Sequence, residues 1–141
     1  MVTNAQDKYT QINKKQDIYS DFLLNLNAHP FTKDLARVKN EDAVKRSIRN
    51  LILTNAFEVP YKPTLGGNIH RFLFEPMTIE TQKNIEESIT LTIKNHEPRA
   101  NLLKLLVVPN IDESRYDVYI IFNVVNNANP VEMALSLYRV R

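Results

Sequence analysis

Four carboxylates in the sequence are candidates for acid–base chemistry, because they do not fall on the solvated face of a predicted helix: Glu58, Glu75, Glu97 and Asp117. Two carboxyl groups about 5 to 9 Å apart are sufficient for glycoside hydrolysis. Glu97, however, lies close to Arg99 in the sequence. A neighbouring cation keeps a carboxylate ionised, which is the wrong state for a general acid. Catalysis by paired carboxylates is therefore only an alternative to a binding role.

The tripeptide Glu97-Pro98-Arg99 lies where a helical pattern stops and strand patterns begin. Proline has a fixed φ, lacks an N–H and pushes the preceding residue out of the helical region, so the helix should end by His96 or Glu97. A carboxylate and a guanidinium on a stiff backbone are well presented for polar contacts. The sequence leaves open whether Arg99 pairs with Glu97 or with a partner chain.

Other site chemistries find no support in the sequence. There is no cysteine, and His29, His70 and His96 show no familiar metal-ligand spacing. No serine lies in a Gly-x-Ser-x-Gly motif, and the only two glycines, Gly66 and Gly67, form no nucleotide-binding pattern. We therefore expect no metal, no cofactor and no catalytic nucleophile.

The basic residues could form a patch, but they lack the interleaved aromatic residues or groove-reading motif of a nucleic-acid binder. They are Lys45, Arg46, Arg49, Arg139 and Arg141. A solvated face, or contacts with acidic surfaces of partner proteins, is the better interpretation. The formal net charge of the whole chain is only +2, which gives no global support for a nucleic-acid or membrane partner.

Length and composition predict one ordinary globular core. The chain has 141 residues, of which 43% are hydrophobic and 24% charged. Residues 1–16 are polar and predict a flexible arm rather than a signal peptide, and residues 17–141 predict a single domain. No apolar run approaches the length of a membrane span. We expect a protein that is cytosolic when made.

An N-terminal strand and two main helices are predicted first. Alternating apolar residues predict a strand that ends by residues 27–30; they are Ile18, Phe22, Leu24 and Leu26. Residues 31–39 should be irregular. Asn40 should cap a helix over residues 41–54, whose buried stripe contains Val44, Ile48, Leu51 and Ile52. Thr78 should cap the second helix, which continues to the proline corner with a stripe of Ile79, Ile85, Ile89 and Ile93.

Between the helices, residues 57–68 predict a shaped loop, and residues 69–74 fit either a helical turn or a strand. Strands are predicted over residues 102–108, 116–125 and 131–140, and all seven prolines then fall outside the predicted elements. This order predicts an α+β fold that ends in a three-stranded antiparallel meander.

The last predicted strand should lie at an edge of the sheet. An uncovered edge is a template for a strand of another chain. The charges of Arg139 and Arg141 could instead prevent another strand from pairing with this edge, and the physics alone leaves both interpretations open.

Taken in order, these segments resemble the baseplate wedge proteins of contractile-tailed phages, often labelled tail-lysozyme-like, and their type VI secretion baseplate counterparts. The resemblance covers nearly everything after Phe31. The family usually has Gly-Glu-Arg where this chain has Phe57-Glu58-Val59, and His96 replaces a frequent tyrosine. The matching segments are Asp34-Leu35, Ala43 to Thr54, Glu58 before Pro60 and Pro63, Gly66, Leu73-Phe74-Glu75-Pro76, Glu97-Pro98-Arg99 and Leu137-Tyr138-Arg139-Val140-Arg141.

The resemblance implies a structural, non-enzymatic role in a virion baseplate that is assembled in the host cytoplasm. According to this resemblance, Glu97 and Arg99 anchor the chain to the core bundle of the wedge, and Pro98 fixes the direction of their side chains. The contractile sheath would begin to polymerise from the strand that contains Leu137, Tyr138, Arg139, Val140 and Arg141. The implied partners are other wedge proteins, tube-side baseplate proteins and the sheath protein, in multiple copies around the tail and without nucleic acid or membrane. Peptidoglycan hydrolysis, the activity of a tail lysozyme, is the alternative.

Overall fold

The structure, a computed structural model, describes residues 18–22, 27–125, 127 and 129–139. Its elements in chain order are β1 (Ser20–Phe22), β2 (Arg37–Lys39), α1 (Glu41–Leu53), α2 (His70–Leu73), α3 (Ile79–His96), β3 (Ala100–Asn110), β4 (Arg115–Val124) and β5 (Pro130–Tyr138). The predicted arm (1–16), Leu24 and Leu26 of the predicted first strand, and Val140 and Arg141 lie outside the described residues.

The C-terminal strands form the predicted three-stranded antiparallel sheet, in the order β3-β4-β5. Alternate residues of β4 point toward the helices and are fully buried, as with Tyr116, Val118 and Ile120. In β5, Leu137 pairs with Tyr116 and Leu135 with Val118, so the same face of β5 is buried. The α+β fold with a terminal meander is therefore confirmed.

The core lies between this face of the sheet and the helices α1 and α3. Each helix contributes a stripe at helical spacing: Val44, Ile48 and Ile52 from α1, and Ile85, Ile89 and Ile93 from α3. Two hydrogen bonds join α3 to β3, since Gln82 Nε2 donates to the Val107 carbonyl at 2.8 Å and Glu86 Oε1 accepts from the Val107 N–H at 3.3 Å. These side chains cover the edge of β3 at Val107.

The prediction that Ile79 faces the core was wrong, because its side chain is 73% exposed. Six residues separate Ile79 from Ile85, a rotation of about 240° around the helix, so Ile79 points away from the stripe. Thr81, which is buried, takes the position one turn before Ile85 and donates its hydroxyl to the Pro76 carbonyl. Thr78 caps α3 as predicted, accepting from the Thr81 N–H at 3.2 Å.

Asn40 does not cap α1 with its side chain, contrary to the prediction. Its Oδ1 atom instead accepts hydrogen bonds from the backbone N–H groups of Ile18 and Tyr19, at 2.9 and 3.3 Å. Asn40 has a positive φ of 49°, a backbone conformation that residues other than glycine adopt rarely. The start of α1 is therefore tied to the segment that enters β1.

Three further predictions required correction or completion. Residues 31–39 are not irregular throughout, because β2 pairs with β1. Pro109 lies within β3 and Pro130 opens β5, so the prolines do not all fall outside the elements. Both positions suit a residue without an N–H, because β3 is an edge strand and Pro130 is the first residue of its strand. Residues 69–74, which the sequence left undecided, contain the one-turn helix α2.

Candidate partner-binding surfaces

The predicted corner is a hydrogen-bonded turn between α3 and β3. Glu97 follows the last residue of α3, and its N–H donates to the Ile93 carbonyl at 2.9 Å. The Ala100 N–H donates to the Glu97 carbonyl at 3.1 Å, which closes the turn around the exposed Pro98. The backbone of the corner is therefore fixed from both sides.

Arg99 points back toward Glu97. Its Nε donates to Glu97 Oε1 at 2.5 Å and its Nη2 donates to Oε2 at 2.8 Å, the parallel pairing that suits a guanidinium and a carboxylate. The Glu97 side chain is only 2% exposed, whereas that of Arg99 is 36% exposed. The carboxylate is therefore buried within the chain, and the arginine keeps one side open to solvent.

The surroundings of Glu97 favour its ionised form. Burial alone would raise its pKa, but hydrogen bonds from Arg99 and Ser47 and the attraction of the Arg99 charge together lower the pKa below the usual value. The hydrogen bond to Glu97 in turn raises the pKa of Arg99. Ser47 belongs to α1, so this helix also contributes to the lowered pKa of Glu97. A carboxylate held ionised in this way does not suit a general acid.

Tyr19 covers another side of the Arg99 guanidinium, whose central carbon lies 5.3 Å from the centre of the tyrosine ring. Tyr19 itself packs against the core and is held by Asn40. An open groove of about 590 Å³ runs beside the corner, with Lys94, Pro98 and Val125 in its lining. The corner thus presents a rigid proline, a half-exposed cation and an apolar groove.

The predicted sheath-facing residues differ in their exposure. Leu137 is buried in the core, Tyr138 is 62% exposed, and Arg139 is half-buried and donates its N–H to the Ser114 carbonyl. Val140 and Arg141 lie outside the described residues. Within the part of the chain that the structure describes, no strand pairs with the second edge of β5.

The remaining candidate carboxylates lie on separate elements. Glu58 is exposed in the loop after α1, where it accepts from the Asn55 N–H, and Glu75 is exposed after α2. Asp117 lies on the outer face of the sheet and binds Arg115 and Ser136. In the described ranges, no group of three or more His, Asp or Glu side chains could hold a metal ion. None of the helices described by the structure is long and apolar enough to cross a lipid bilayer.

The sequence suggested a basic patch on α1, but it did not predict the groove that this patch lines or the apolar outer face of the sheet. Lys45, Arg46 and Arg49 of α1 line a groove of about 330 Å³, whose opposite wall contains Met133 and Ala134 of β5. The outer face of the sheet also exposes the apolar side chains of Leu106, Val108 and Tyr119, and Leu103 is exposed where the register of β3 shifts. Apolar residues at both odd and even positions of residues 102–108 signal such a two-sided strand.

Comparison with known proteins places these features in a context. Residues 38–128 match the profile of a protein family described as baseplate wedge protein gp25. The baseplate wedge protein gp25 of Enterobacteria phage T4 is 31% identical to this chain over 102 residues, which are 72% of this chain and 77% of the phage protein.

Two solved structures share the fold. A putative tail lysozyme from Geobacter sulfurreducens superposes with a TM-score of 0.67 at 24% identity, over 72% of this chain and 92% of its own. A chain of the anti-feeding prophage baseplate, from a 6-fold symmetrised cryo-EM structure, superposes with a TM-score of 0.61 at 24% identity, over 87% of this chain and 86% of its own.

Proposed function

The chain belongs to the baseplate wedge protein gp25 family, and from this we propose that it docks on the core bundle of a contractile-tail wedge through its Glu97-Pro98-Arg99 corner and starts sheath polymerisation with its C-terminal strand. Its place is the virion baseplate, and its role there is structural rather than enzymatic. The proposed partners are other wedge proteins, tube-side baseplate proteins and the sheath protein.

The bidentate pair between the buried Glu97 carboxylate and the half-exposed Arg99 is the observation that carries the docking proposal. The pair forms within the chain, so the half-exposed guanidinium and the exposed Pro98 keep a fixed position before any partner arrives. A group that is already ordered loses little conformational entropy when it binds. The adjoining groove offers apolar surface that a helix of a partner can cover.

Docking can be tested with a substitution that leaves the internal ion pair intact. Lys94 is exposed and lines the groove beside the corner. Lys94→Glu should reduce incorporation into wedge complexes by at least about tenfold when the baseplate proteins are expressed together, because a reversed charge at an interface disfavours binding. Arg99→Lys should also weaken incorporation, since lysine cannot reproduce the planar pairing with Glu97.

Lys83→Glu is the matched control. Lys83 is an exposed lysine on nearly the same face of α3, about 16 Å from Lys94 along the helix axis. It should leave incorporation unchanged. If both Lys94→Glu and Arg99→Lys are incorporated normally, the corner does not bind a partner and only stabilises the folded chain.

The proposed sheath contact uses β5 rather than β3. Both strands lie at edges of the sheet, but side chains of α3 satisfy the Val107 backbone groups on the β3 edge. The corresponding edge of β5 has no partner strand among the described residues. Its exposed backbone groups can pair with an added strand.

Ala134→Lys tests this contact, because a lysine in the middle of an edge strand disfavours the addition of another strand. Ala134 is exposed, so the substitution should leave the core intact. Tails that carry the variant should show complete baseplates without sheath in electron micrographs. Leu106→Lys, at an exposed position of the other edge strand, is the control and should give normal sheaths. Normal sheaths with Ala134→Lys would rule out β5 as the starting strand.

A further inference from the structure

The groove between α1 and β5 carries positive charge that the described chain does not neutralise. Lys45 and Arg49 are four residues apart in α1, so they lie on the same face of the helix, and both line the groove. The side chain of Arg46 also lines it but donates to the Phe22 carbonyl. In the described ranges, neither Lys45 nor Arg49 forms an ion pair, and no carboxylate lines the groove.

A strand added to β5 would run along this groove. Met133 and Ala134 of β5 form one wall, and a strand paired with β5 would lie about 4.8 Å from it in the plane of the sheet. The side chains that this strand turns to the same face as Met133 would then point toward α1. Those turned to the opposite face would lie beside Glu132, which is exposed on the outer face of the sheet.

We infer that the strand that pairs with β5 belongs to a partner protein and carries acidic side chains at alternate positions, on the face turned toward Lys45 and Arg49. This inference rests on the proposed pairing of β5 with the sheath protein. A glutamate suits the groove, because its methylene groups can pack on Met133 while its carboxylate reaches the two cations. Glu132 disfavours a second row of acids on the other face of the strand.

A second copy of this chain fits the groove less well. If β5 paired with β5 of another copy, the strand entering the groove would have the sequence of residues 130–138, whose single acid is Glu132. Glu132 lies on the outer face of the sheet, opposite the half-buried Met133 next to it. It would therefore point away from Lys45 and Arg49, which would remain unpaired.

Synthetic peptides with the length of β5, nine residues, provide a direct test on the full chain. One peptide alternates glutamate with threonine, a second has glutamine in place of glutamate, and a third is the glutamate peptide with alternate backbone nitrogens methylated. At low ionic strength the glutamate peptide should bind about tenfold more tightly than the glutamine peptide, as two partly exposed ion pairs allow. The methylated peptide should not bind, because it cannot complete the strand hydrogen bonds.

The double variant Lys45→Glu/Arg49→Glu should abolish the preference for the glutamate peptide. The control is Lys62→Glu/Lys83→Glu, which changes the net charge equally at exposed positions elsewhere; it should retain the preference. Equal binding of the glutamate and glutamine peptides would overturn the acidic-strand inference while leaving strand addition in place. Equal binding of the methylated peptide, or no binding of any peptide, would overturn both the inference and the pairing of β5.

Discussion

Replacing Arg99 with alanine should destabilise the isolated protein, because it leaves the Glu97 carboxylate buried without its cation. Removing one partner of a fully buried ion pair costs about 3 to 5 kcal/mol. The Arg99 side chain is 36% exposed, so water screens part of the interaction and the expected loss is smaller, about 2 to 3 kcal/mol. Ser47, which also lowers the pKa of Glu97, is still present in the variant and limits the loss further.

The loss should depend on pH in a defined direction. In the wild type the pKa of Glu97 lies below its usual value of 4.5, so the stabilisation from the pair is complete above that pH and is lost as the pH falls through the lowered pKa. In the variant, burial is no longer opposed by Arg99, and the pKa of Glu97 in the folded state should rise. The variant then regains stability as the pH falls, and its difference from the wild type should narrow between about pH 7 and about pH 4.

Urea denaturation at these two pH values measures the effect. Arg49→Ala is the control, because Arg49 is exposed and has no ion pair among the described residues; it should change the free energy of unfolding by less than about 0.5 kcal/mol at pH 7. Glu97→Gln/Arg99→Ala should be more stable than Arg99→Ala alone near pH 7, since it removes the uncompensated charge. An Arg99→Ala protein as stable as the control, or a difference that widens toward low pH, would refute the reasoning.

Four further substitutions test the packing and the hydrogen bonds of Asn40, each measured by urea denaturation. Gly66→Ala should cost at least about 2 kcal/mol, because Gly66 has a φ of +109° and an added Cβ would lie 2.3 Å from the Thr54 carbonyl oxygen. Ile89→Ala should cost about 3 kcal/mol and the exposed Ile79→Ala less than about 0.5 kcal/mol; equal losses would contradict the assigned orientation of α3. Asn40→Ala should cost about 1 to 2 kcal/mol through two lost hydrogen bonds, and an unchanged stability would show that they contribute little.

The parts of the fold that follow local rules could be predicted from the sequence. Pro98 ends α3 because of its own covalent geometry, which does not depend on the rest of the chain. The stripes of α1 and α3 and the alternation in β4 have the periods of a helix and a strand with one buried face. Three consecutive strands with short connections then leave an antiparallel meander as the simplest topology.

The parts that depend on distant contacts could not be predicted. Strand β2 has only three residues, two of them basic, and is a strand because β1 pairs with it. The Asn40 side chain binds the backbone more than 20 residues away, so its residue type suggested a helix cap that does not form. The groove forms only because β5 packs beside α1. The two elements are more than 75 residues apart in the sequence, and no local sequence pattern indicates that they meet.

The internal pairing of Arg99 and its proposed contact with a partner are compatible. Arg99 uses Nε and Nη2 for Glu97, and the remaining N–H donors of its guanidinium can serve a carboxylate or a backbone carbonyl of another chain. A long arginine side chain that is free in solution loses rotamer entropy when it binds, but this one is already held by Glu97 and by the ring of Tyr19. In the proposed docking, the buried Glu97 therefore fixes the orientation of the half-exposed Arg99 before the wedge assembles.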